Sequence, residues 1–500
     1  MTAPETGLEI ELKCQVPPEK RAALTRALAT RTAEHVDLRA RYFDTPDGRL
    51  AAAQLALRLR REGDVWVQTL KGRGDGLMQR LEDEVPRDAE DGDPPPLDIG
   101  LHRGTAAGQA LLAALAGGAP PQVVYGTQIQ RLKRVLRHGG ARIELALDVG
   151  DIVAGEARTP VCELEFELLS GPVSALLDLA ARWSARFGLV LDPATKSERA
   201  QWLVQARTQR PVVRASDPAL PAGLPLAEAR AAMVASALAQ ALPNAAALTA
   251  GAGTPDHVHQ LRVGLRRLRS VLRAFGPADA ARDAALGELF SALGGTRDAD
   301  VLALTLAPAQ AAAQAAGLPL PDLPAAAAAP TGLQRLQEPT TTALWLGLIA
   351  LTVPGLGVAD DDAAPWEGVA LPRLRRWHRQ ARRDAAAWAT LDDEARHRLR
   401  KRLKRLRYVL GFCGALLPAK AGAEEARALR RLQEALGRWN DAVVARAALA
   451  AALPGDAAAA FATGWLAREA LLIDADCARA SQRWQRLKGR ALKSKQKSRD

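Results

Sequence analysis

Two acidic stretches of this chain have the residue types and the spacing to hold a divalent cation. In Glu9-Ile10-Glu11-Leu12-Lys13 charged residues alternate with apolar ones, and Glu163-Leu164-Glu165-Phe166-Glu167 repeats the alternation with three carboxylates. Alternate side chains of a β-strand lie on one face of its sheet, so each stretch places its charges together. Carboxylate oxygens are the ligands that hard cations such as Mg²⁺ prefer. One such strand, taken alone, is more simply interpreted as an ordinary solvated sheet face.

The strands between these stretches carry basic residues at alternate positions. Arg58 and Arg60 share one face of a strand, and further cations follow in the next three predicted strands. Carboxylates repel a polyanion unless a divalent cation lies between them. Acidic and basic faces together therefore predict a metal-bound phosphate chain as the ligand, and its metal-assisted hydrolysis or transfer as the chemistry. The residues expected to bind phosphate oxygens are Lys13, Arg58, Arg60, Lys71, Arg80, Arg131 and Lys196.

At least six predicted strands carry an ionic face, and so many ionic faces limit how the strands can be arranged. Leu55–Arg61 and Val65–Lys71, joined at Glu62-Gly63-Asp64, are typical of an antiparallel hairpin. Solvated faces do not account for six ionic strands in one domain. An antiparallel sheet that closes into a barrel turns such faces inward and gives them one polar lumen. Flanking helices are predicted over Pro17–Thr30 and Val173–Phe187.

Strand alternation alone does not determine on which face of the sheet several further side chains lie. A slip of one residue sends a side chain to the other face of a sheet. Asp148 and Glu144 are secondary candidates for metal contact, and Asp148 has the alternative role of capping the turn before Gly150. The cations that are predicted either inside or outside the barrel are Arg39, Arg41, Lys133 and Arg142.

The order of these motifs resembles the CYTH superfamily, the triphosphate tunnel metalloenzymes. Glu9-x-Glu11-x-Lys13 is similar to the ExExK signature of that family, and six further elements follow in the family order. They are Arg58-x-Arg60, the Lys71 strand, Arg80-x-Glu82, Ile143–Asp148, Glu163–Glu167 and Lys196-Ser197-x-Arg199. The resemblance implies an eight-stranded antiparallel tunnel that binds triphosphate and a divalent metal, Mg²⁺ or Mn²⁺. Known members include inorganic triphosphatases, thiamine triphosphatases and a class of adenylate cyclases.

Charge and matching motif positions together assign roles within the tunnel. The predicted metal ligands are Glu9, Glu11, Glu163 and Glu165, and the predicted catalytic group is Glu9, Glu11 and Lys13. Lys13 lies beside two carboxylates, which favour its charged form. We therefore expect Lys13 to position the substrate while the metal activates water.

The second half of the chain contains a repeat of basic helices. His259–Leu272 matches His397–Leu410, 138 residues further on, with cations at helical spacing beside a stripe of leucines. Like charges at this spacing repel one another, and a solvated basic face would explain one such helix. Two matched copies predict an anion-binding surface, for which arginine is well suited. Its residues would be His259, Arg262, Arg266, Arg269, His397, Arg400, Lys404 and Arg407.

These repeats resemble the CHAD domain, a helical module often fused behind CYTH, and the resemblance implies polyphosphate binding. The predicted class is α+β. Residues 1–205 form the tunnel domain, and a Pro-, Ala- and Gly-rich linker covers 206–225. An all-α domain follows over 226–500, built from two pseudo-repeated bundles at about 226–352 and 366–490.

The composition of the chain indicates its partners and its cellular compartment. The 500 residues carry a net charge of +12, which favours polyanionic partners. Four cysteines without CxxC spacing predict free thiols in a reducing cytoplasm. No signal pattern opens the chain, and the apolar run 343–359, broken by Gly and Pro, predicts a buried bundle helix rather than a membrane span. Nucleic acid is a weaker expectation because the basic helices lack interleaved aromatic residues.

The predicted function is divalent-metal-dependent hydrolysis of inorganic triphosphate in the tunnel, with polyphosphate binding by the basic helical domain. One alternative is a non-catalytic, granule-associated polyphosphate-binding protein, and another is a CYTH enzyme that acts on an organic triphosphate. An adenylate cyclase would need a pocket for base and ribose, and no feature selects for one. The oligomeric state is not predicted.

Overall fold

The computed structural model describes residues 8–74, 76–88, 94–276, 279–318, 332–356, 363–452 and 455–492, without the side chains of 295–301 and 452. The chain divides into two compact units. The first draws on Met1–Val213, Ala239–His257 and Leu336–Leu356, and the second on Arg214–Leu238, Val258–Arg335 and Gly357–Asp500.

Eight strands of the first unit close into an antiparallel barrel. They are β1 (Leu8–Gln15), β2 (Glu34–Asp44), β3 (Leu55–Glu62), β4 (Val65–Arg73), β5 (Gln79–Arg87), β6 (Gln122–His138), β7 (Ala141–Ala154) and β8 (Ala157–Ser170). Their order is β5-β4-β3-β2-β6-β7-β8-β1, and pairing of β1 with β5 closes the ring. A short β9 (Val190–Leu191) pairs with the other end of β1. The predicted eight-stranded barrel is confirmed.

Local residue chemistry explains the connections of the barrel. Gly139 and Gly140 join β6 to β7 with φ of +53° and +79°, the left-handed conformations that a type I′ hairpin turn requires. The helices of this region are α1 (Arg21–Leu28), α2 (Arg49–Ala52), α3 (Ala106–Leu115), α4 (Val173–Phe187) and α5 (Lys196–Val204). Helix α5 begins at a capping box in which Thr195 and Glu198 satisfy each other's backbone amides.

One part of the barrel interior is apolar. Leu38, Ala40 and Tyr42 of β2 are buried in a cluster with Tyr125, and Ala200 of α5 packs against them. Tyr42 and Tyr125 stack at a centroid distance of 4.7 Å. The ionic part of the lumen therefore ends against a packed apolar cluster that includes the terminal helix of the domain.

The start of the predicted linker is tied to the barrel unit. Arg210 donates two hydrogen bonds to the buried Asp192, at 3.0 and 2.9 Å. Its guanidinium also lies 5.3 Å from the Trp202 ring. A bidentate pair to a buried carboxylate fixes the chain direction at this point.

The remaining described helices are α6 (Leu226–Thr249), α7 (Pro255–Phe275), α8 (Ala280–Ala292), α9 (Gly294–Ala315), α10 (Gly332–Gln337), α11 (Pro339–Ala350), α12 (Trp366–Ala386), α13 (Asp393–Phe412), α14 (Ala419–Ala452) and α15 (Ala457–Arg486). The leucine stripes of α7 and α13 are buried, as predicted: Leu261, Leu265, Leu268, Leu399, Leu403 and Leu406 are each 0% exposed. Burial of these stripes determines which way the basic stripes of both helices face.

The apolar run 343–359 forms a buried helix only in its first part, because α11 ends at Ala350. Helix α11 packs against α4 in the first unit, where Thr342 donates a hydrogen bond of 3.0 Å to the Leu189 carbonyl. Within the described residues, α6 is the helix with the length and apolar composition of a membrane span, and 61% of its most apolar window is buried inside the fold.

Candidate active site and anion-binding surface

Three carboxylates converge inside the barrel. Glu163 and Glu165 lie on the same face of β8, and Asp148 is the direct partner of Glu163 on β7. Their ligand oxygens lie within 4.8 Å of one another, and Asp148 and Glu163 are 0% and 1% exposed. Buried hard-oxygen donors at this spacing can hold a divalent cation. We refer to Asp148, Glu163 and Glu165 as the carboxylate trio.

Two cations each contact more than one member of the carboxylate trio. The Lys196 Nζ lies 2.6 Å from Asp148, 2.5 Å from Glu163 and 3.0 Å from Glu165. Arg131 donates two hydrogen bonds of 2.7 Å to Asp148 and one of 2.7 Å to Glu165. Burial alone would raise the pKa of Asp148, but Lys196 and Arg131 outweigh it and hold that pKa below its usual range. At Glu165, too, burial is outweighed by Lys196, Lys13 and Arg131, which hold its pKa well below its usual range. Asp148 and Glu165 are therefore ionised and able to bind a cation.

Glu11 and Lys13 of β1 line the same lumen beside the trio. The Glu11 carboxylate lies 3.0 Å from the Lys13 Nζ and 3.4 Å from the Arg80 Nε. Lys13 is also 3.5 Å from Glu165, which connects β1 to the trio. Burial lowers the pKa of Lys13, but Glu11 and Glu165 outweigh it, so the net pKa lies above the usual range. Lys13 is thus an ammonium rather than a proton acceptor.

Glu9 lies in a separate acidic group with Glu82 of β5. Lys71 bridges the two, with its Nζ 3.1 Å from Glu9 and 2.8 Å from Glu82. Burial and the neighbouring Glu82 raise the pKa of Glu9 to about 8, against the opposing effect of Lys71. Lys71 and Arg58 outweigh burial at Glu82 and hold its pKa below the usual range. The pair therefore shares one proton at neutral pH.

Arg58 and Arg60 of β3 project into the lumen. Arg58 is 9% exposed and donates from one terminal nitrogen to the Tyr42 hydroxyl at 3.3 Å. Its Nε and its other terminal nitrogen are buried and make no hydrogen bond among the described residues, although this second nitrogen is ion-paired with Glu84 at 3.5 Å and with Glu82 at 3.7 Å. Arg60 lies 3.2 Å from Glu84 and also contacts Glu62. Buried N–H groups without an acceptor favour binding of an anion.

All the residues predicted for the tunnel therefore lie in one lumen, but they do not form one cluster. Glu163 and Glu165 belong to the carboxylate trio, whereas Glu9 and Glu11 are each paired with cations. Lys196, expected only at phosphate, lies at the centre of the trio. No direct contact joins the Glu9 carboxylate to the trio within the described contacts.

Sequence reasoning missed three members of this lumen. Glu82 was visible in the alternation Arg80-x-Glu82, but no pairing rule assigned it to Lys71. Arg199 is one helical turn beyond Lys196 on α5 and lies 3.0 Å from Glu163. Tyr42, the acceptor for Arg58, carries no charge pattern that could have identified it.

The structure shows whether the residues with an undetermined strand face lie inside or outside the barrel. Lys133 is inside, 3.7 Å from Glu144. Arg39, Arg41 and Arg142 are exposed. The alternative role for Asp148, a cap of the turn before Gly150, does not hold, because its oxygens bind Arg131 and Lys196.

The basic stripe of α7 contacts an aromatic ring, a backbone carbonyl and a carboxylate. Arg262 and Arg266 lie 4.5 and 5.6 Å from the Phe290 ring, and Arg262 donates to the Leu293 carbonyl at 3.1 Å. The buried Arg266 Nε makes no hydrogen bond within the described residues. Arg269 differs, because Asp283 binds it through two hydrogen bonds. His259 is half-buried.

The stripe of α13 contacts polar and acidic residues of α14. Arg400 lies 3.9 Å from Asp441 of α14, and His397 shares a hydrogen bond of 3.0 Å with Asn440. Arg407 lies over the Tyr408 ring at 4.9 Å. Lys404 is half-buried, and the positive charges of Arg266, Arg400 and Arg262 act on its amino group. The predicted cations of both repeats thus act on one another, and we call Arg262, Arg266, Arg400 and Lys404 the basic cluster.

Comparison with known proteins finds similarity in both halves of the chain. A family model described as the CYTH domain matches residues 7–200, and one described as the CHAD domain matches residues 232–450. An inorganic triphosphatase from Haemophilus influenzae is 32% identical over 197 residues, which are 38% of this chain and 53% of that protein. The chain therefore spans about half the length of this curated relative.

Two solved structures are also similar. The CHAD domain of the plant Ricinus communis is 31% identical, with a TM-score of 0.41, and the match covers 54% of this chain and 96% of that one. A protein from Hippeastrum, described as an adenylyl cyclase with a dominant triphosphatase activity, is 19% identical, with a TM-score of 0.29, covering 39% and 96%.

Proposed function

We propose, from the premise that this chain is a CYTH domain followed by a CHAD domain, that its barrel hydrolyses inorganic triphosphate with the help of a divalent metal. The helical domain, in the same proposal, binds polyphosphate. The observation that carries the first part is the lumen itself, which holds both buried arginine N–H groups without a hydrogen bond among the described residues and the closely spaced carboxylate trio. A phosphate chain bound through a metal is the ligand that uses both.

The carboxylate trio fits a hard divalent cation such as Mg²⁺ or Mn²⁺. Its oxygens lie within 4.8 Å of one another, Asp148 and Glu163 are buried, and the Lys196 ammonium already lies within 3.0 Å of all three carboxylates. Glu9 and Glu11 remain predicted ligands from their motif positions. The bound cation would neutralise phosphate charge and make a nearby water more acidic.

The chain's own residues would hold and orient the phosphate chain. Arg58 and Arg131 offer forked donors that match two phosphate oxygens, and Lys13 offers a compact charge beside them. In hydrolysis the water oxygen bonds to the terminal phosphorus as the bond from that phosphorus to the bridging oxygen breaks. Because Lys13 is held in its charged form, its role is to position the terminal phosphate.

Phosphate release from four substrates compared side by side tests the barrel. Tripolyphosphate, ATP, thiamine triphosphate and long-chain polyphosphate are incubated with Mg²⁺, with Mn²⁺ or with EDTA. We expect tripolyphosphate to be preferred and EDTA to abolish release. Glu163→Gln should lower kcat/KM by about 100-fold or more, because an acceptor made neutral binds the cation poorly. Glu156→Gln, an exposed glutamate in the β7–β8 turn, is the matched control.

Two results would overturn the catalytic proposal. One is the absence of phosphate release from tripolyphosphate with either metal. The other is a Glu163→Gln variant that behaves like Glu156→Gln. If ATP or thiamine triphosphate is preferred by a large factor, the substrate is instead an organic triphosphate.

Polyphosphate binding by the helical domain has its own test. The basic cluster supports it, because Arg266, Arg400 and Arg262 all act on Lys404, and the buried Arg266 Nε makes no hydrogen bond within the described residues. A variant with Arg262, Arg266, Arg400 and Lys404 replaced by Gln should lose retention on immobilised long-chain polyphosphate but keep tripolyphosphate hydrolysis. Retention without hydrolysis in the wild type would favour the non-catalytic alternative. The four free cysteines accord with the cytoplasmic location that we also propose.

A further inference from the structure

We infer that Arg376 and Arg405 form a second phosphate-binding face of the helical region, on α12 and α13, where the guanidinium that covers Trp377 binds a phosphate group of a polyphosphate chain. This face contains none of the residues that the two basic stripes were predicted to contribute. The inference rests on the proposed polyphosphate-binding function of the helical domain and adds a separate contact to it.

Arg405 of α13 has an aromatic support but no acceptor. Its guanidinium carbon lies 4.1 Å from the centroid of the Trp377 ring on α12. The side chain is half-buried, its Nε is buried without a hydrogen bond, and no ion pair joins the guanidinium to a described residue. A ring face stabilises the cation without satisfying its N–H groups. Those groups therefore remain as donors for an oxyanion.

The first copy of the repeat shows what an arginine at this position binds. Arg405 corresponds to Arg267, and the offset is 405 − 267 = 138. Arg267 donates hydrogen bonds of 2.8 Å to the Asp217 carboxylate, 2.8 Å to the Ser236 hydroxyl and 3.0 Å to the Ser216 carbonyl. The guanidinium at this place in the repeat is thus the centre of an oxygen-rich site.

The second copy replaces one of these acceptors by another donor. An antiparallel bridge between Pro225 and Pro365, immediately before α6 and α12, relates the preceding helices of the two copies. The offset there is 365 − 225 = 140, so Ser236 of α6 corresponds to Arg376 of α12. The change removes a hydroxyl acceptor and adds a guanidinium, which favours an anion that comes from outside the fold.

The charges that surround Arg405 are positive. Burial lowers the pKa of Arg405, and three neighbouring charges lower it further: those of Arg273, Arg402 and Arg376. The first two are each ion-paired with a carboxylate, that of Asp283 or that of Asp384. Arg376 is exposed and makes no ion pair with a described residue. Arg376 and Arg405 are therefore the two cations of this group that an external anion would compensate.

Further exposed cations make this a face for a polyanion rather than for a single ion. Arg379 and Arg383 follow Arg376 at helical spacing on one side of α12, and both are exposed. Lys401 is exposed one turn before Arg405 on α13. An extended acidic peptide would present its carboxylates alternately on two sides. A phosphate chain presents oxygens on every side, and each phosphate group offers two of them to an arginine fork.

Arginine footprinting of the full chain tests the inference. Phenylglyoxal modifies accessible guanidinium groups, and mass spectrometry of the digested protein reports each arginine separately. The reaction is run with and without long-chain polyphosphate, in EDTA so that the polymer is not hydrolysed. We expect Arg376 and Arg405 to react in the free protein and to react about tenfold more slowly when the polymer is at about ten times its Kd. Arg438 and Arg479, which share Asp476 on an exposed face, should react equally in both conditions.

Affinity of matched variants provides a second measurement. Arg376→Gln/Arg405→Gln should bind polyphosphate about tenfold more weakly than the wild type and with a smaller dependence on salt, since two charge-assisted contacts are lost. Arg438→Gln/Arg479→Gln removes the same charge from a pair that already has a carboxylate, and it should bind as the wild type does. Arg405→Lys, which keeps the charge without the fork, should bind more tightly than Arg405→Gln.

Three results overturn the inference. One is equal modification of Arg376 and Arg405 with and without the polymer. Another is an Arg405 that does not react in the free protein, because its donors are then already occupied or enclosed. The third is a lower Tm of Arg376→Gln/Arg405→Gln with unchanged affinity, which would make the role of this pair purely structural.

Retention of the wild type on immobilised polyphosphate separates this inference from the proposed function. If the wild type is retained and any of the three results is found, the inference fails alone. If the wild type is not retained, the proposed function of the helical domain fails together with it.

Discussion

Arg131 and Asp148 are direct partners on neighbouring strands of the barrel, and two hydrogen bonds of 2.7 Å join them in the lumen. Asp148 is 0% exposed, so the pair is a desolvated ion pair and not a surface contact. Since Lys196 also contacts Asp148, the carboxylate trio is held in place by cations that a phosphate chain could recruit.

Removal of the Asp148 carboxylate should destabilise the barrel. Asp148→Ala leaves Arg131 and Lys196 buried with less compensating charge, and breaking a buried pair by deleting one partner costs about 3 kcal/mol. Urea unfolding without metal measures the loss. Asp178→Ala, which removes an exposed partner of Arg182, should cost less than about 1 kcal/mol. Equal losses for the two variants would contradict a buried role for Asp148.

Loss of the Lys196 ammonium should make the fold depend on a divalent cation. In Lys196→Met the carboxylate trio keeps Arg131 but loses the charge between its members, so repulsion should lower Tm without metal. Mg²⁺ should restore the lost charge, and the Mg²⁺-induced rise in Tm should exceed that of the wild type. Lys20→Met, at an exposed lysine, should behave as the wild type does. A smaller Mg²⁺ effect in Lys196→Met would count against a metal at the trio.

Asp217 should stabilise the second unit through Arg267. That arginine is 1% exposed, donates a hydrogen bond of 2.8 Å to Asp217 and lies 5.1 Å from the Phe412 ring. Asp217→Ala removes this carboxylate from a buried guanidinium, at a cost of about 2 kcal/mol in the free energy of unfolding. Adding Arg267→Met to this variant should restore most of the loss, because the uncompensated charge is then gone.

The control for that experiment is Glu394→Ala, which breaks an exposed i,i+4 pair with Arg398 and should cost less than about 0.5 kcal/mol. If the double variant is no more stable than Asp217→Ala, the buried charge is not the source of the loss.

Thiol reactivity should separate the four free cysteines. Burial raises the pKa of Cys413 and of Cys477 to about 12 and raises the pKa of Cys14 as well, so these thiols form little thiolate at pH 8. Burial raises the pKa of Cys162 too, but this thiol is only half-buried and therefore accessible, so we expect it to be the one thiol that reacts readily with Ellman's reagent in the native protein. All four should react in guanidinium. Cys162→Ser should abolish the native reaction, and two or more fast thiols would contradict this assignment.

Much of the site could be predicted because strand alternation is a local property. Charges two residues apart in β1 and β8 must share a face, and six ionic strands need a common interior. The same reasoning can place a side chain on the wrong face of the sheet where no alternation of charged and apolar residues fixes the faces of the strand. Lys133 and Arg142 were indistinguishable on this basis, and the structure places the first inside and the second outside.

The sequence by itself determined the faces: which residues of β1 and β8 point into the barrel, and which stripes of α7 and α13 carry cations. The tertiary structure decided the partners, because pairing register and helix placement depend on residues far apart in the chain. Register puts Asp148 beside Glu163, and helix α5 brings Lys196 between them. Packing of the two repeats likewise gives Lys404 its cationic surroundings. Periodicity specifies a direction from the backbone, whereas the pKa of a buried group depends on what the rest of the fold places there.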